Sequence, residues 1–414
     1  MKKVQSVNII HKTKIRLNSI YLMKYLPVYL ICVTVLATEL GCNQPPGTYL
    51  VKDIDSISRG LVPDEREGIC DVRLYSSGKN MILRGETNLP EARQVFLDFL
   101  KTKNVWPVDS LVILPDTTII KNCWGLIILS VSNIRMTPSH DAEMISQALM
   151  GTPVRILKEV PGWYLIQTPD SYIGWVDSEA IETLSTNDFN KWKTSPRIIY
   201  LGKTGDIYDS TSEGKIISDI VAGCIVEYYG VEKDHYLVKL PDGRKGSLRK
   251  IECSEFTEWA MNARPKPEHL ISTAERFTGT PYLWGGTSSK GMDCSGFVKM
   301  VYYLNGIILA RDVSLQFRYG LVIKALEKAD NLKAGDLLFF GGSRNDKPVP
   351  SHVGMYIGDT EFIHSSGMVR INSLDSTRYN FSRYRKNSFI GARRITSDTF
   401  GKGIQLVSQH PWYK

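Results

Sequence analysis

The chain has 414 residues, 43% hydrophobic and 23% charged, a composition that excludes a wholly disordered, collagen-like or disulfide-framework protein. Its length provides for roughly two to four domains with buried cores. The formal net charge is +8, but Lys2, Lys3, Lys12, Lys14, Arg16 and Lys24 supply most of it with no acid among them. The remainder is near neutral, which argues against nucleic-acid binding.

Tyr25–Thr38 is an apolar run of 14 residues closed by Glu39, short of the roughly 20 that span a membrane. A basic flank, a short apolar stretch and then small residues form the layout of a secretory signal. Leu40-Gly41-Cys42 follows, and Asn43-Gln44-Pro45-Pro46 reads as a solvated tether. The segment resembles a bacterial lipoprotein signal, in which the cysteine is lipidated, and departs from it at Glu39, where an aliphatic residue is preferred. Residues 1–42 are therefore expected to be a lipoprotein signal, with Met23 as the start of its compact version. The protein is then exported and anchored to a membrane through Cys42, facing the periplasm or the cell exterior. A plain signal peptide or a short anchor helix is the alternative.

The seven cysteines (Cys32, Cys42, Cys70, Cys123, Cys224, Cys253 and Cys294) include no C-x-x-C pair and no histidine at zinc-ligand spacing, so no structural metal is expected. Cys70, Cys123, Cys224 and Cys253 read as free cysteines packed among apolar residues.

Residues 47–118 read as a small α+β domain. Ile69–Tyr75 alternates as a strand, Asn80–Arg84 follows a Ser-Ser-Gly turn, and Ser110–Leu114 is a further strand. Between them a helix through Pro90–Leu100 places Ala92, Val95, Phe96, Phe99 and Leu100 on one face, with Asn88 as its cap. No catalytic constellation is visible here, and a packing or spacer role is expected.

Residues 122–252 contain a duplication. Gly151, Tyr164, Leu165, Pro169, Asp170 and Gly174 recur as Gly223, Tyr236, Leu237, Pro241, Asp242 and Gly246, each offset by 72. Each copy reads as short strands with a hairpin at Pro-Asp, giving two small β-barrels over 122–186 and 194–253. The pattern Gly162-Trp-Tyr-Leu-Ile-Gln to Tyr172-Ile-Gly-Trp-Val resembles the SH3-like domains of bacterial cell-wall proteins.

Residues 255–414 begin with an amphipathic helix near Pro267–Phe277. Strands follow at Gly335–Phe340, Val353–Gly358, Glu361–His364 and Phe389–Arg394, an α+β order. The sharpest chemical signal lies here. Thr280-Pro-Tyr-Leu-Trp-Gly-Gly286 precedes Gly291-Met-Asp-Cys-Ser-Gly-Phe297, and apolar residues continue at Val298, Val301, Tyr302 and Leu304 with helical spacing. Cys294 thus opens a buried helix, where backbone N–H groups favour a thiolate nucleophile, and Asp293 can cap it. His352 heads the run Ser351–Gly358, and His364 lies 12 residues on, across a Gly358-Asp359 hairpin. On adjacent antiparallel strands the imidazoles meet, His364 bonding His352 Nδ1 and leaving Nε2 for the thiol. Taken singly, a cysteine at a helix start is packing, and either histidine is a strand residue.

Together, Tyr282–Gly286, Asp293–Phe297, Gly335–Phe340, Ser351–Gly358 and Phe362–Ser365 resemble the NlpC-type cell-wall peptidases, a papain-like family that cleaves peptidoglycan stem peptides. The resemblance implies Cys294 as nucleophile, His352 as base, His364 as its orienter, and Tyr282 lining the nucleophile and the oxyanion site. The whole is then a multidomain protein: an α+β papain-like catalytic domain after two SH3-like β-barrels and a small α+β N-terminal domain. That architecture resembles the subgroup cleaving γ-D-glutamyl–diamino acid bonds in peptides with a free N-terminal L-alanine. It implies substrate-binding roles for Glu143 and Tyr172 in the first barrel and for Asp293, Ser295 and Asp312. Glu143 and Tyr172 are otherwise a solvated pair, and Asp312 a helix cap. No metal or organic cofactor is implied, the partner is the stem peptide, and a monomer is expected. A non-catalytic wall-binding lipoprotein, and an amidase or acyltransferase on the same scaffold, are the competing functions. Whether lysine or diaminopimelate occupies the third substrate position stays open.

Overall fold

The computed structural model describes residues 48–414 except 79, 213 and 325–330. The expected signal, the Met23 start and the lipidation of Cys42 lie outside the described residues. No helix among the described residues is long and apolar enough to cross a membrane.

The first part of the chain is built on a three-stranded sheet. Cys70–Ser77 pairs antiparallel with Asn80–Thr87. The helix Ala92–Thr102 then returns the chain, so that Val108–Ile113 lies parallel to Asn80–Thr87, as a strand–helix–strand crossover requires. The helix Thr48–Leu61 covers the sheet, with Leu50 and Ile54 packed among Leu74, Leu83, Phe96 and Leu100. This helix has no counterpart in the expected elements. Asn88 is not the cap of the second helix. That helix begins after Glu91, three residues beyond Asn88, and the Asn88 carboxamide oxygen instead accepts from the Ile69 amide at 2.8 Å.

The duplication appears as two seven-stranded sheets with one topology. In spatial order the first runs Ile181–Leu184, Trp124–Ile127, Pro153–Val160, Trp163–Gln167, Ile173–Asp177, Val131–Arg135 and Met144–Leu149. The second runs Cys253–Glu255, Arg197–Tyr200, Ile225–Glu232, His235–Lys239, Lys245–Arg249, Thr204–Tyr208 and Ile216–Val221. Even the register break is repeated, at Ile156/Lys158 and again at Tyr228/Gly230. The first sheet encloses its own core around Ile127, Ile134, Val154, Ile156, Ile166 and Val176. The second shares one continuous core with the C-terminal part, where Ile198, Val226 and Val238 join Phe297, Val301, Phe339 and Val353.

The C-terminal part is a six-stranded antiparallel sheet in the order Leu321–Ile323, Phe389–Arg394, Leu337–Arg344, Lys347–Gly358, Glu361–Ser366 and Met368–Ser373. The helix Cys294–Tyr303 buries nearly every residue; Phe297, Val298 and Val301 pack against Val353, Met355 and Ile363 of the sheet. The first seven-stranded sheet docks beside the start of that helix. Gln147 accepts from the Thr287 amide and the Ser288 hydroxyl, both at 3.0 Å, and its carbonyl accepts from the Thr287 hydroxyl at 2.9 Å.

Gly285 sits at the closest point of this contact. Its φ is +76°, and a Cβ there would lie 2.2 Å from the Met144 carbonyl oxygen. Only glycine meets both demands. Gly285→Ala is expected to lower unfolding stability by about 1–3 kcal/mol, read from the denaturant midpoint, with a parallel loss of turnover. An unchanged midpoint would show that this contact does not hold the two parts together.

Candidate active site

Asp293 ends the Gly291–Met292 strand and caps the nucleophile helix, its Oδ1 accepting from the Gly296 amide at 2.7 Å. Cys294 is thereby the first helical residue, 7% exposed, and the backbone amides of Val353 and Ser295 face its thiol. The expectation of a thiol held ionised is not met. Burial first, then the neighbouring Asp293 carboxylate, push the thiol up to about 11, against the pull of those amides and Arg311. A helix N-terminus offers partial charge only, and removal from water outweighs it.

The histidines meet across the strands Lys347–Gly358 and Glu361–Ser366. Met355 pairs with Ile363 and Tyr356 with Phe362, so His352 and His364 lie on a diagonal, with Gly354 beside His364. A Cβ on Gly354 would stand 3.0 Å from the His364 Cβ, and its absence gives the imidazole room. His352 Nε2 and His364 Nδ1 are 2.7 Å apart, and His364 Nε2 is 2.9 Å from Asn372 Oδ1. Asn372 Nδ2 donates to the Asn380 carbonyl at 2.8 Å.

That last bond fixes the proton positions in the whole chain. A carbonyl can only accept, so the Asn372 amide is oriented with Oδ1 toward His364. His364 Nε2 then carries the proton and Nδ1 accepts, which requires the proton of His352 on Nε2. His352 Nδ1 is left as the basic nitrogen. This reverses the expected arrangement, in which Nδ1 met His364 and Nε2 was free. On the diagonal of the two strands, the His352 ring is turned so that its far nitrogen meets His364. Both rings stay neutral: burial lowers His352 to about 2, with Arg385 and His364 adding to it, and lowers His364 to about 4 despite the Asn372 bond.

Cys294 opens into a cavity of about 320 Å³ that Tyr282, Asp293, Ser295, Asp312, Glu143 and Tyr172 also line. His352 and His364, 6% and 1% exposed, are buried and are not among the residues that line it. Tyr282 remains a phenol, pushed up to about 12 by burial and then by Cys294, and so is a donor toward the nucleophile. Glu143 stands at the exposed rim, where its Oε1 accepts from the Trp284 indole at 2.7 Å. The buried Tyr172 hydroxyl donates to Asp312 Oδ2 at 3.0 Å. Asp312 occupies the N-cap position of the helix Val313–Arg318 but makes no side-chain cap bond.

Asp293 lines the cavity and also holds the loop around the nucleophile. Its carboxylate accepts from Arg311 (2.6 and 3.2 Å), the Gly285 amide (3.1 Å), the Gly296 amide (2.7 Å) and the Ser295 hydroxyl (3.2 Å). It orders the nucleophile loop, with little acceptor capacity left for a ligand. Ser295 belongs to the same knot, accepting from Arg311 Nη1 at 3.0 Å.

The sequence reading singled out neither Asn372, Arg311, Trp284 nor Arg66. Trp284 stands inside the Tyr282–Gly286 motif, and Arg311 directly precedes Asp312. Asn372 lies on the strand after His364 and becomes visible only through pairing. Arg66 belongs to residues 47–118, read as spacer, yet it lines the cavity and meets Asp312 Oδ2 at 2.6 Å. The five described cysteines, Cys70, Cys123, Cys224, Cys253 and Cys294, are all free; Cys123 and Cys224 are buried, Cys70 and Cys253 half-buried.

Residues 279–393 match the model of the NlpC/P60 family, and residues 134–181 match that of the bacterial dipeptidyl-peptidase SH3 domain. The chain is 31% identical over 269 residues to dipeptidyl-peptidase 6 of Lysinibacillus sphaericus, a match that covers 61% of this chain and 92% of that protein. It is 31% identical over 257 residues to gamma-D-glutamyl-L-lysine dipeptidyl-peptidase of Bacillus cereus, covering 60% and 74%. Its fold is similar to the crystal structure of an NlpC/P60 family protein from Bacillus cereus, with a TM-score of 0.56 at 24% identity over 66% of this chain and 99% of that one.

Two outcomes follow from this geometry. A thiol raised to about 11 beside an imidazole lowered to about 2 rests as a neutral pair. Alkylation of Cys294 by iodoacetamide should therefore keep accelerating from pH 6 through pH 9, and a rate plateau across that range would show a resting thiolate instead. Asn372→Ala should lower kcat by about tenfold or more with KM little changed, because the tautomer of both rings is released; an unaltered kcat would remove Asn372 from the relay.

Proposed function

The chain belongs to the NlpC/P60 family and is a cysteine peptidase acting on the bacterial cell wall, and from that premise we propose that it hydrolyses the γ-D-Glu–diamino acid bond of stem peptides bearing a free N-terminal L-alanine. The dipeptide L-Ala-γ-D-Glu is the product. The observation that carries this reading is the composition of the cavity wall: Glu143 and Tyr172 directly precede the strands Met144–Leu149 and Ile173–Asp177 of the first seven-stranded sheet and stand with Asp312 around the space that opens on Cys294. A substrate ammonium buried there needs carboxylates and acceptors, since an unpaired charge costs several kcal/mol. Similarity to a relative named gamma-D-glutamyl-L-lysine dipeptidyl-peptidase supports the same bond.

In this mechanism His352 Nδ1 takes the Cys294 proton as sulfur attacks the γ-carbonyl carbon. The oxyanion is held by the Cys294 amide and the Tyr282 hydroxyl, donors fixed before the charge develops. His352 returns the proton to the departing amine, leaving a thioester. Water, activated by the same nitrogen, releases the dipeptide and restores the thiol. His364 and Asn372 keep the base in the competent tautomer.

Both seven-stranded sheets are SH3-like barrels, the second supported by a topology identical to the matched first. They stand between a small N-terminal α+β domain and the papain-like domain. The chain works as an exported, lipid-anchored monomer, attached through Cys42; mass spectrometry of the mature N-terminus tests this, and an unmodified or uncleaved Cys42 overturns it.

The discriminating assay incubates the enzyme with L-Ala-γ-D-Glu-diaminopimelate and with its N-acetylated form. Only the free-amine peptide should yield dipeptide, and equal cleavage of both would defeat the ammonium pocket. Glu143→Gln should raise KM for the free-amine peptide by about tenfold, the scale of one charge-assisted hydrogen bond, while kcat changes far less. A normal KM would exclude Glu143 from amine binding.

A further inference from the structure

The turn between the helix Thr48–Leu61 and the strand Cys70–Ser77 carries Asp64-Glu65-Arg66-Glu67. Such a charged turn is ordinarily solvated, but this one is clamped on several sides. The Arg66 carbonyl accepts from the Ile173 amide at 2.9 Å. The Glu67 carboxylate accepts from the Tyr319 hydroxyl at 3.1 Å. Asp64 takes Nε and Nη2 of Arg66, both at 2.7 Å, with Arg318 at 3.3 Å on the same carboxylate. Held by its Nε edge, the Arg66 guanidinium reaches the cavity. There Nη1 donates to Asp312 Oδ2 at 2.6 Å and Nη2 to Ser314 Oγ at 3.0 Å.

A guanidinium has five N–H donors. Two go to Asp64, one to Asp312 and one to Ser314, which leaves the second hydrogen on Nη1. The Ser314 hydroxyl accepts from Arg66 and keeps its own hydrogen to donate. Asp312 receives Arg66 and Tyr172 on Oδ2, so Oδ1 takes part in neither bond. The charges of Arg66 and Arg318 balance those of Asp64 and Asp312. Such a balanced pair fits a ligand that itself carries both signs, with an ammonium on the open Asp312 oxygen and a carboxylate on Arg66 and Ser314.

The γ-linked peptide has these two charges. Its first residue is a free amine, and its glutamate, joined through the side-chain carboxyl, keeps the α-carboxylate. Resting on the function proposed above, we infer that Arg66 is a specificity-determining residue that, with Ser314, reads this α-carboxylate. The N-terminal unit is then part of the substrate site. Arg66 lies outside the residues matched by either family model, 134–181 and 279–393.

The test compares kcat/KM for L-Ala-γ-D-Glu-diaminopimelate with that for the same peptide carrying a carboxamide at the glutamate α-position. The wild type should prefer the carboxylate by about tenfold or more, since a site built around a hydrogen-bonding group rejects the analogue lacking it. Arg66→Gln should bring the ratio near one by costing the carboxylate peptide more. Arg66→Lys should give an intermediate ratio, keeping the charge but losing the fork. Ser314→Ala should move the ratio in the same direction and carries the test if Arg66→Gln does not fold. A wild-type ratio near one, or equal losses on both peptides in the Arg66→Gln and Ser314→Ala variants, overturns the inference alone. A wild-type enzyme that releases neither L-Ala-γ-D-Glu from the first peptide nor the corresponding α-carboxamide dipeptide from the second overturns the functional reading, and this inference with it.

Discussion

Arg311 and Asp293 form an ion pair almost without access to water, at 1% and 9% side-chain exposure, and the shape of the reactive loop depends on it. Burial works against the guanidinium charge, and the Asp293 carboxylate more than offsets that effect. A buried pair of this kind contributes little net stability compared with apolar packing, but losing one partner costs about 3–5 kcal/mol. Its importance is therefore geometric. Asp293 touches the helix through Gly296, the preceding turn through Gly285 and the following residue through Ser295. Arg311 extends the same knot to the first seven-stranded sheet, its Nε donating to Ser146 at 3.1 Å. Nucleophile, turn and neighbouring barrel thus share one fixed point.

Burial around that point favours the uncharged forms of the reacting groups. A buried thiol and two buried imidazoles each lose hydration if ionised, and no carboxylate lies within the His352–His364–Asn372 relay to offset it. The relay is made of dipoles, so what it fixes is proton location. Directionality comes from Asn380, a backbone carbonyl with only one role to play, and it propagates through three side chains to a single nitrogen on His352.

Much of this was legible in the sequence wherever local pattern sufficed. The 72-residue offset appeared as repeated Gly, Tyr-Leu and Pro-Asp positions, and the two sheets repeat it strand for strand down to a shared bulge. The strand Phe389–Arg394 and the start of the helix at Cys294 are where alternation and spacing put them. What local pattern cannot carry is register and rotamer. The expected face of the His352 ring was reversed because the turn of the ring decides which nitrogen meets His364. The ionisation of Cys294 was misjudged because a helix start is visible in a sequence and the depth of its burial is not. Arg66 is unreadable for a related reason: a run of four charged residues has the signature of a solvated turn, and only the docking of three separate parts makes it interior.

The contact between Arg66 and Asp312 joins residues 246 positions apart, and His410 near the chain end reaches back 241 positions to the Pro169 carbonyl. Contacts of such sequence separation form late, after the local units that bear them have folded. A nascent chain emerging from the ribosome completes the Arg66 turn early and Asp312 only after three quarters of synthesis. The pocket therefore lacks the Arg66–Asp312 part of its wall through the first three quarters of synthesis.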